Sequence, residues 1–250
     1  TNVSSERIRD ELIKCFTQQN ADISLKLLLE TNLLHHILPD IERLNGLPQP
    51  AEYHPEGDVF EHTKLMLKYA IIPSPVLAFS ILLHDVGKSK TYEMTDRIRF
   101  NNHNEIGAEL AKNILRDLKF SNDEIDKIYN IVKNHMQFIN IKKMRIAKLK
   151  RWLASHTFDD ELELHRLDCL SSHKDLTNYN FAVELKHSFE AEEKSILPQK
   201  YITGDDLIKL GFFPGPKFKV IIETMFDLQL EKVITDKELA LIYVKEKYGA

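Results

Sequence analysis

Apolar residues recur three and four positions apart along most of this 250-residue chain, and only 8 glycines interrupt them. That spacing gives each helical segment one apolar stripe, and a stripe must be buried against another. The pattern predicts an all-α fold, a helical bundle with little room for sheet. Between Glu105 and Leu118, Ile106, Leu110, Ile114, Leu115 and Leu118 make one stripe. Ser121 with Glu124 forms a capping box for the next helix, along which Ile125, Ile128, Val132 and His135 share the buried face. One stretch departs from the pattern. From Thr91 to Phe100, β-branched, aromatic and charged residues alternate around Thr95-Asp96, which predicts a short, peripheral β-hairpin at 91–100.

Proline and glycine punctuate the chain at Gly46-Leu47-Pro48-Gln49-Pro50, at His54-Pro55-Glu56-Gly57 and at Leu197-Pro198. These breaks suggest an N-terminal helical segment (1–50), a central domain (51–197) and a small helical tail (198–250). In the tail, Thr203-Gly204-Asp205-Asp206 is expected to cap a helix that stops near Gly211, and Thr235 with Glu238 to cap the last one. The chain opens at Thr1 and enters helix-like sequence almost at once, as a piece of a longer protein does. Its length buries a sufficient core without disulfides. Cys15 and Cys169 lack zinc or redox spacing, which points to core or surface thiols in a reducing cytoplasm. No apolar run approaches the roughly 18 to 20 residues of a membrane span, so no membrane partner is expected.

A net charge of -4 argues against a globally electropositive nucleic-acid binder. A local patch remains. Lys142, Lys143, Arg145, Lys148, Lys150 and Arg151 surround Ile141, Ile146 and Leu149, so an amphipathic segment would present cations to an RNA backbone on one face.

The chemistry concentrates at His84-Asp85, read with His62 and Asp168. His84 ends the apolar run from Val76 to Leu83, and burying Asp85 behind it is costly without a cation. Asp168 sits among Leu164, Leu167 and Leu170, and His62 beside Leu65, Met66 and Tyr69. A single histidine on an apolar face is more often a hydrogen-bonded core residue than a ligand. For these four together, one divalent ion is the more economical explanation, because mixed nitrogen and oxygen ligands with open positions suit phosphoester hydrolysis. Mn, Ni, Co, Fe and Mg are all candidates, with Mg the least suited to so many histidines. His103 and His135, separated by a helical hairpin, are expected to approach the same pocket as ligands of a second ion or as phosphate-binding groups. Gly87 is expected to let the chain turn sharply, and Lys88 to set an ammonium near a substrate phosphate. The remaining histidines, His35, His36, His54, His156, His165, His173 and His187, read as structural or exposed.

At His84-Asp85-Val86-Gly87-Lys88 the chain resembles the HD-domain metal-dependent phosphohydrolases, whose pattern is a first His, a His-Asp pair and a later Asp. The resemblance implies that His62, His84, Asp85 and Asp168 bind a divalent ion, with His103 and His135 matching the extra histidines of two-metal members. Glu6-Arg7-Ile8-Arg9-Asp10-Glu11-Leu12, the run from His54 to Thr63, and Thr203-Gly204-Asp205-Asp206-Leu207 with Gly215-Pro216 narrow it further. They look like the region that follows the catalytic head of tRNA nucleotidyltransferases (CCA-adding enzymes) and poly(A) polymerases, over nearly the whole chain. That resemblance implies a helical body that helps hold tRNA or other RNA, and hydrolysis of 2′,3′-cyclic phosphates, 2′-nucleotides and other phosphoesters. The head's Gly-Ser pair and Asp-x-Asp are absent from this sequence, so nucleotide addition is not expected of it. A head removed from a longer protein and a free-standing HD protein both remain open.

The leading expectation is therefore a metal-dependent phosphohydrolase in which Asp85 is both ligand and the group that orients or deprotonates the water. Lys88, with His103 and His135, would neutralise the phosphate oxygens. A second is an RNA-binding body with a structural metal. A third, a regulatory nucleotide hydrolase of the stringent-response or deoxynucleotide kind, shares the ligands but lacks the flanking motifs.

Overall fold

The computed structural model describes residues 3–192 and 195–249. Helix accounts for 66% of it, and the sheet among the described residues is one antiparallel hairpin, as the periodicity predicts. The order is α1 (Ser5–Phe16), α2 (Ala21–Glu30), α3 (Leu33–Ile37), α4 (Pro39–Glu42), α5 (Val59–Tyr69), α6 (Pro75–Leu83), α7 (Lys88–Thr91), β1 (Tyr92–Met94), β2 (Ile98–Phe100), α8 (His103–Asp117) and α9 (Asn122–Asn134). A 3-10 helix (His135–Lys143) follows, then α10 (Ile146–Leu153), α11 (Phe158–Ser171), α12 (Thr177–Glu192), α13 (Gly204–Lys209), α14 (Pro216–Leu230) and α15 (Lys237–Tyr248). Among the described residues no helix is long and apolar enough to cross a membrane.

The chain forms two compact units, residues 1–139 with 157–180 and residues 140–156 with 181–250. This division differs from the three segments suggested by the proline and glycine breaks. Leu12, Phe16, Leu25, Leu34 and Ile41 of the first fifty residues share one core with Phe60, Phe79, Leu115, Val132 and Leu164. Breaks in composition mark loops, whereas units end where buried contacts end.

In the first unit α6 is central. Its residues from Leu77 to Leu83 are all buried, so it presents no polar face, and α1, α5, α9 and α11 pack around it. The aromatic rings of Phe16 and Phe120 meet Phe79 from two sides at 6.1 and 4.7 Å. α8 and α9 form a hairpin joined by the expected capping box at Ser121 and Glu124, and Ile125, Ile128 and Val132 are buried as expected. The stripe of α8 is displaced from the one read in sequence. His103, Gly107, Ala108, Ala111 and Leu115 are buried, Leu110 and Ile114 are half-buried, and Ile106 is exposed. Small residues on α8 permit a close approach that a count of large apolar side chains overlooks.

Gly87 supplies the other half of that approach. Its φ of -67° is open to any residue, so the glycine is not needed for the turn. A Cβ there would lie 2.1 Å from the His103 carbonyl oxygen and 2.6 Å from the Gly107 nitrogen, both backbone atoms.

The second unit has its own core of Ile202, Leu207, Ile221, Met225, Ile234, Ala240 and Val244. The capping box at Thr203 and Asp206 opens α13, as expected. The last helix begins one residue later than Thr235 implies: Asp236 is the cap and accepts from the Leu239 amide, its carboxylate suiting the positive helix end. α10 packs on α14, and this contact absorbs part of the basic segment. Arg145 pairs with Glu231 at 2.7 Å, and Arg151 with Glu223 and Asp227 at 2.7 and 2.8 Å. Lys150 is buried with its ammonium 5.0 Å from the Phe189 ring centre. Lys142, Lys143 and Lys148 are exposed.

Candidate metal centre

Five segments of the first unit deliver the ionisable groups of one centre. His62 comes from α5, His84 and Asp85 from the end of α6, His103 from the start of α8, His135 from the end of α9 and Asp168 from α11. All six residues singled out in the sequence therefore meet. They form two triads, His62-His84-Asp168 and Asp85-His103-His135, and within each the candidate ligand atoms lie within 4.8 Å of one another.

Each of the four imidazoles is anchored through Nδ1. His84, His103 and His135 donate to the carbonyls of Ile81, Phe100 and Val132 at 2.8, 2.9 and 2.6 Å, each three residues back. His62 donates to Glu56 Oε1 at 2.6 Å. These bonds fix the ring orientations and turn every Nε2 inward. His62 Nε2 stands 3.1 Å from Asp168 Oδ1, and His84 Nε2 is 3.1 Å from Asp85 Oδ2. His103 Nε2 and His135 Nε2 are 3.2 Å apart and lie 3.4 and 3.9 Å from Asp85 Oδ1.

The electrostatics agree with the geometry. Burial, with the nearby His103 and His84, pushes His135 down to about 3, and burial also lowers His103, so both rings are neutral near pH 7. Burial works against the charged form of His62, yet the Asp168 and Glu56 carboxylates raise it to about 9. Burial opposes the charge of Asp85 and Asp168 too, but the surrounding imidazoles, and Lys88 for Asp85, hold both carboxyls well below the usual range. In the second triad, two neutral nitrogens and a carboxylate oxygen face one another with no proton to share, and a cation satisfies all three. Two imidazoles and one carboxylate per triad suit Mn, Fe, Co or Ni better than Mg. The residues present thus fit a divalent ion.

Lys88, expected to set an ammonium near a substrate phosphate, lines the same cavity as His84, Asp85, His103, His135 and Asp168. It is buried, its Nζ bonds to Asp85 Oδ2 at 2.7 Å and Gln49 Oε1 at 2.6 Å, and it lies 5.3 Å from the Phe100 ring centre. Two of its three donors are thus engaged, one by Asp85 and one by Gln49. His54, His165 and His173, read from sequence as structural or exposed, line the cavity. His54 donates to Glu56 Oε1 at 2.9 Å, the oxygen that also holds His62, and these two contacts help to keep the Glu56 carboxyl near about 2 although burial opposes its charge. His165 stacks on Phe138 at 4.2 Å and sits 3.7 Å from Cys169 Sγ. Burial pushes that thiol up to about 12, so Cys169 is no nucleophile.

The hairpin expected to be peripheral is present, with Tyr92 opposite Phe100 and Met94 opposite Ile98, but it walls the cavity with Arg97, Ile98, Arg99 and Phe100. Its position follows from chain connectivity. It is the short link between α7, which follows Asp85 directly, and His103, so both of its ends are tied to the centre. Proximity in sequence to Asp85 and His103 was the available signal.

Comparison with known proteins matches residues 59–173 to the HD domain and residues 1–44 to a region described as "Probable RNA and SrmB- binding site of polymerase A". A multifunctional CCA protein of Methylobacillus flagellatus is 32% identical over 150 residues, covering 59% of this chain and 36% of its own. An A-adding tRNA nucleotidyltransferase of Deinococcus radiodurans is 28% identical over 93% of this chain and 56% of its own. A CC-adding tRNA nucleotidyltransferase of Thermus thermophilus is 28% identical over 96% of this chain and 56% of its own. The chain thus spans 36% to 56% of the length of these relatives. With His62, His84, Asp85 and Asp168 in the order of the HD pattern and gathered at one centre, residues 59–173 match an HD domain, in a chain similar over most of its length to tRNA nucleotidyltransferases.

Proposed function

We propose that the first unit is a metal-dependent phosphohydrolase that cleaves phosphoesters such as 2′,3′-cyclic nucleotides. The observation that carries this reading is the inward convergence of the Nε2 lone pairs of His103 and His135 with Asp85 Oδ1, an arrangement that needs a cation. His62, His84 and Asp168 would hold one ion, and Asp85, His103 and His135 a second. A divalent ion bound there would polarise phosphoryl oxygens and make water acidic enough to supply hydroxide near neutral pH. The protein's own groups do the rest. The backbone carbonyls and Glu56 keep the imidazoles turned inward. Asp85, already facing Lys88 and three imidazoles, orients the attacking water rather than accepting its proton. The water oxygen bonds to phosphorus, the ester P–O bond breaks, and the departing oxygen takes up the proton that the water gives up.

Hydrolysis of 2′,3′-cyclic AMP by metal-stripped protein, with Mn, Ni, Co, Fe and Mg restored in turn, tests this. Turnover is expected with at least one ion and should fall by about a thousandfold or more in Asp85→Ala, because the charge is withdrawn from the reacting centre. A folded protein inactive with every ion would overturn the reading.

A second reading, an RNA-binding body, is favoured by the match of residues 1–44 and by the exposed Lys142, Lys143 and Lys148. Its partner would be tRNA, the substrate that the relatives' names state for them. The two readings are compatible.

A further inference from the structure

The cavity onto which five of the six triad residues open has a volume of about 710 Å³, far more than one phosphate fills. Beyond the triads its wall carries two kinds of side chain. Arg97 and Arg99 stand on the hairpin, and Tyr53, Met136 and Ile139 offer apolar surface that is left open, Ile139 being 61% exposed. Among the described residues Arg97 makes no ion pair. Arg99 gives one nitrogen to Asp96 at 2.7 Å, while its Nε is buried and has no partner. Both guanidiniums line the cavity with donors left unpaired, and arginine is the side chain best shaped for phosphate. Lys88 does not compete for this role, since Asp85 and Gln49 engage it. Glu52, the acidic residue on this side of the cavity, pairs with neither arginine.

We infer that Arg97 and Arg99 form a second phosphate subsite, so that the cavity takes a nucleotide bearing two phosphates, one at the triads and one on the hairpin, with its base against Tyr53, Met136 and Ile139. This rests on the phosphohydrolase reading for the first phosphate alone. The hairpin itself fits such a task. Two three-residue strands are too short to be stable by themselves, and the Tyr92–Phe100 and Lys88–Phe100 contacts hold them against the centre.

The test is calorimetric binding of adenosine 3′,5′-bisphosphate and of adenosine 3′-monophosphate to the full chain, with and without Mn. The bisphosphate should bind about tenfold tighter or better, the worth of one charge-assisted hydrogen bond. In Arg97→Ala/Arg99→Ala that preference should collapse toward parity, and in Arg97→Lys/Arg99→Lys part of it should return. A dinucleotide ending in a 3′-phosphate, compared with the free bisphosphate, tells whether the second phosphate belongs to a chain end or to a free nucleotide. Equal affinity of wild-type protein for one and two phosphates overturns the inference, as does an equal loss for both ligands in the double variant. If Mn changes nothing while the arginine-dependent preference persists, the subsite stands and the metal reading falls.

Discussion

Each imidazole of the centre is oriented by a partner that the sequence motif does not contain. Three rely on carbonyls three residues back, a contact that follows from a histidine placed at a helix end. His62 lies inside α5, where backbone carbonyls are already bonded, and it relies on Glu56 instead. A carboxylate on the far nitrogen raises a ligand's basicity and fixes its ring, and its removal typically weakens metal binding about 10- to 100-fold. Glu56→Gln should show a loss of that size in competition with a chromophoric chelator, with helix content unchanged. Unaltered affinity would remove Glu56 from the centre. The residue types of the two triads were legible because buried His and Asp on apolar helices ask for a cation. Glu56, His54 and Gln49 were not legible, since a loop residue's partner is chosen by folding rather than by spacing.

At the scale of the element, the junction between α6 and α8 leaves no room for a side chain at Gly87. Gly87 touches the backbone of α8 at His103 and Gly107, so a methyl group there cannot be absorbed by rotating a side chain. Gly87→Ala should displace the start of α8, cost about 1–3 kcal/mol or more, and lower Tm by about 2–4 °C per kcal/mol. Because His103 sits at that point, metal affinity should fall together with stability. A variant with unchanged Tm and affinity would show that α8 is free to move. Capping boxes at Ser121 and Thr203 and the hairpin at 91–100 were readable, because each depends on residues within a few positions of one another. The displaced stripe of α8 was not, because small residues are buried where a neighbour comes close, and the neighbour is Gly87.

For the whole molecule, the division into units decides which cations are available. The basic segment from Lys142 to Arg151 reads in sequence as one patch, but Arg145 and Arg151 pair with carboxylates of the second unit and Lys150 is buried within it. Reversing the charge of Lys142, Lys143 and Lys148 should therefore weaken tRNA binding and make the dependence of log affinity on log salt shallower by about 0.7 to 0.9 for each phosphate no longer neutralised. Filter binding across a salt series measures this, and an unchanged slope would place the RNA elsewhere on the protein. The sequence by itself determined the helical class, the capping boxes at Ser121 and Thr203, the hairpin and the six side chains that meet at the candidate centre, because these follow from local periodicity and from the cost of burying charge. Only the tertiary structure decided that these six form two triads, that the hairpin walls their cavity, that Lys88 serves Asp85, and that half of the basic segment is engaged in packing. Those outcomes depend on which distant side chains share a buried space, and no spacing along the chain encodes that.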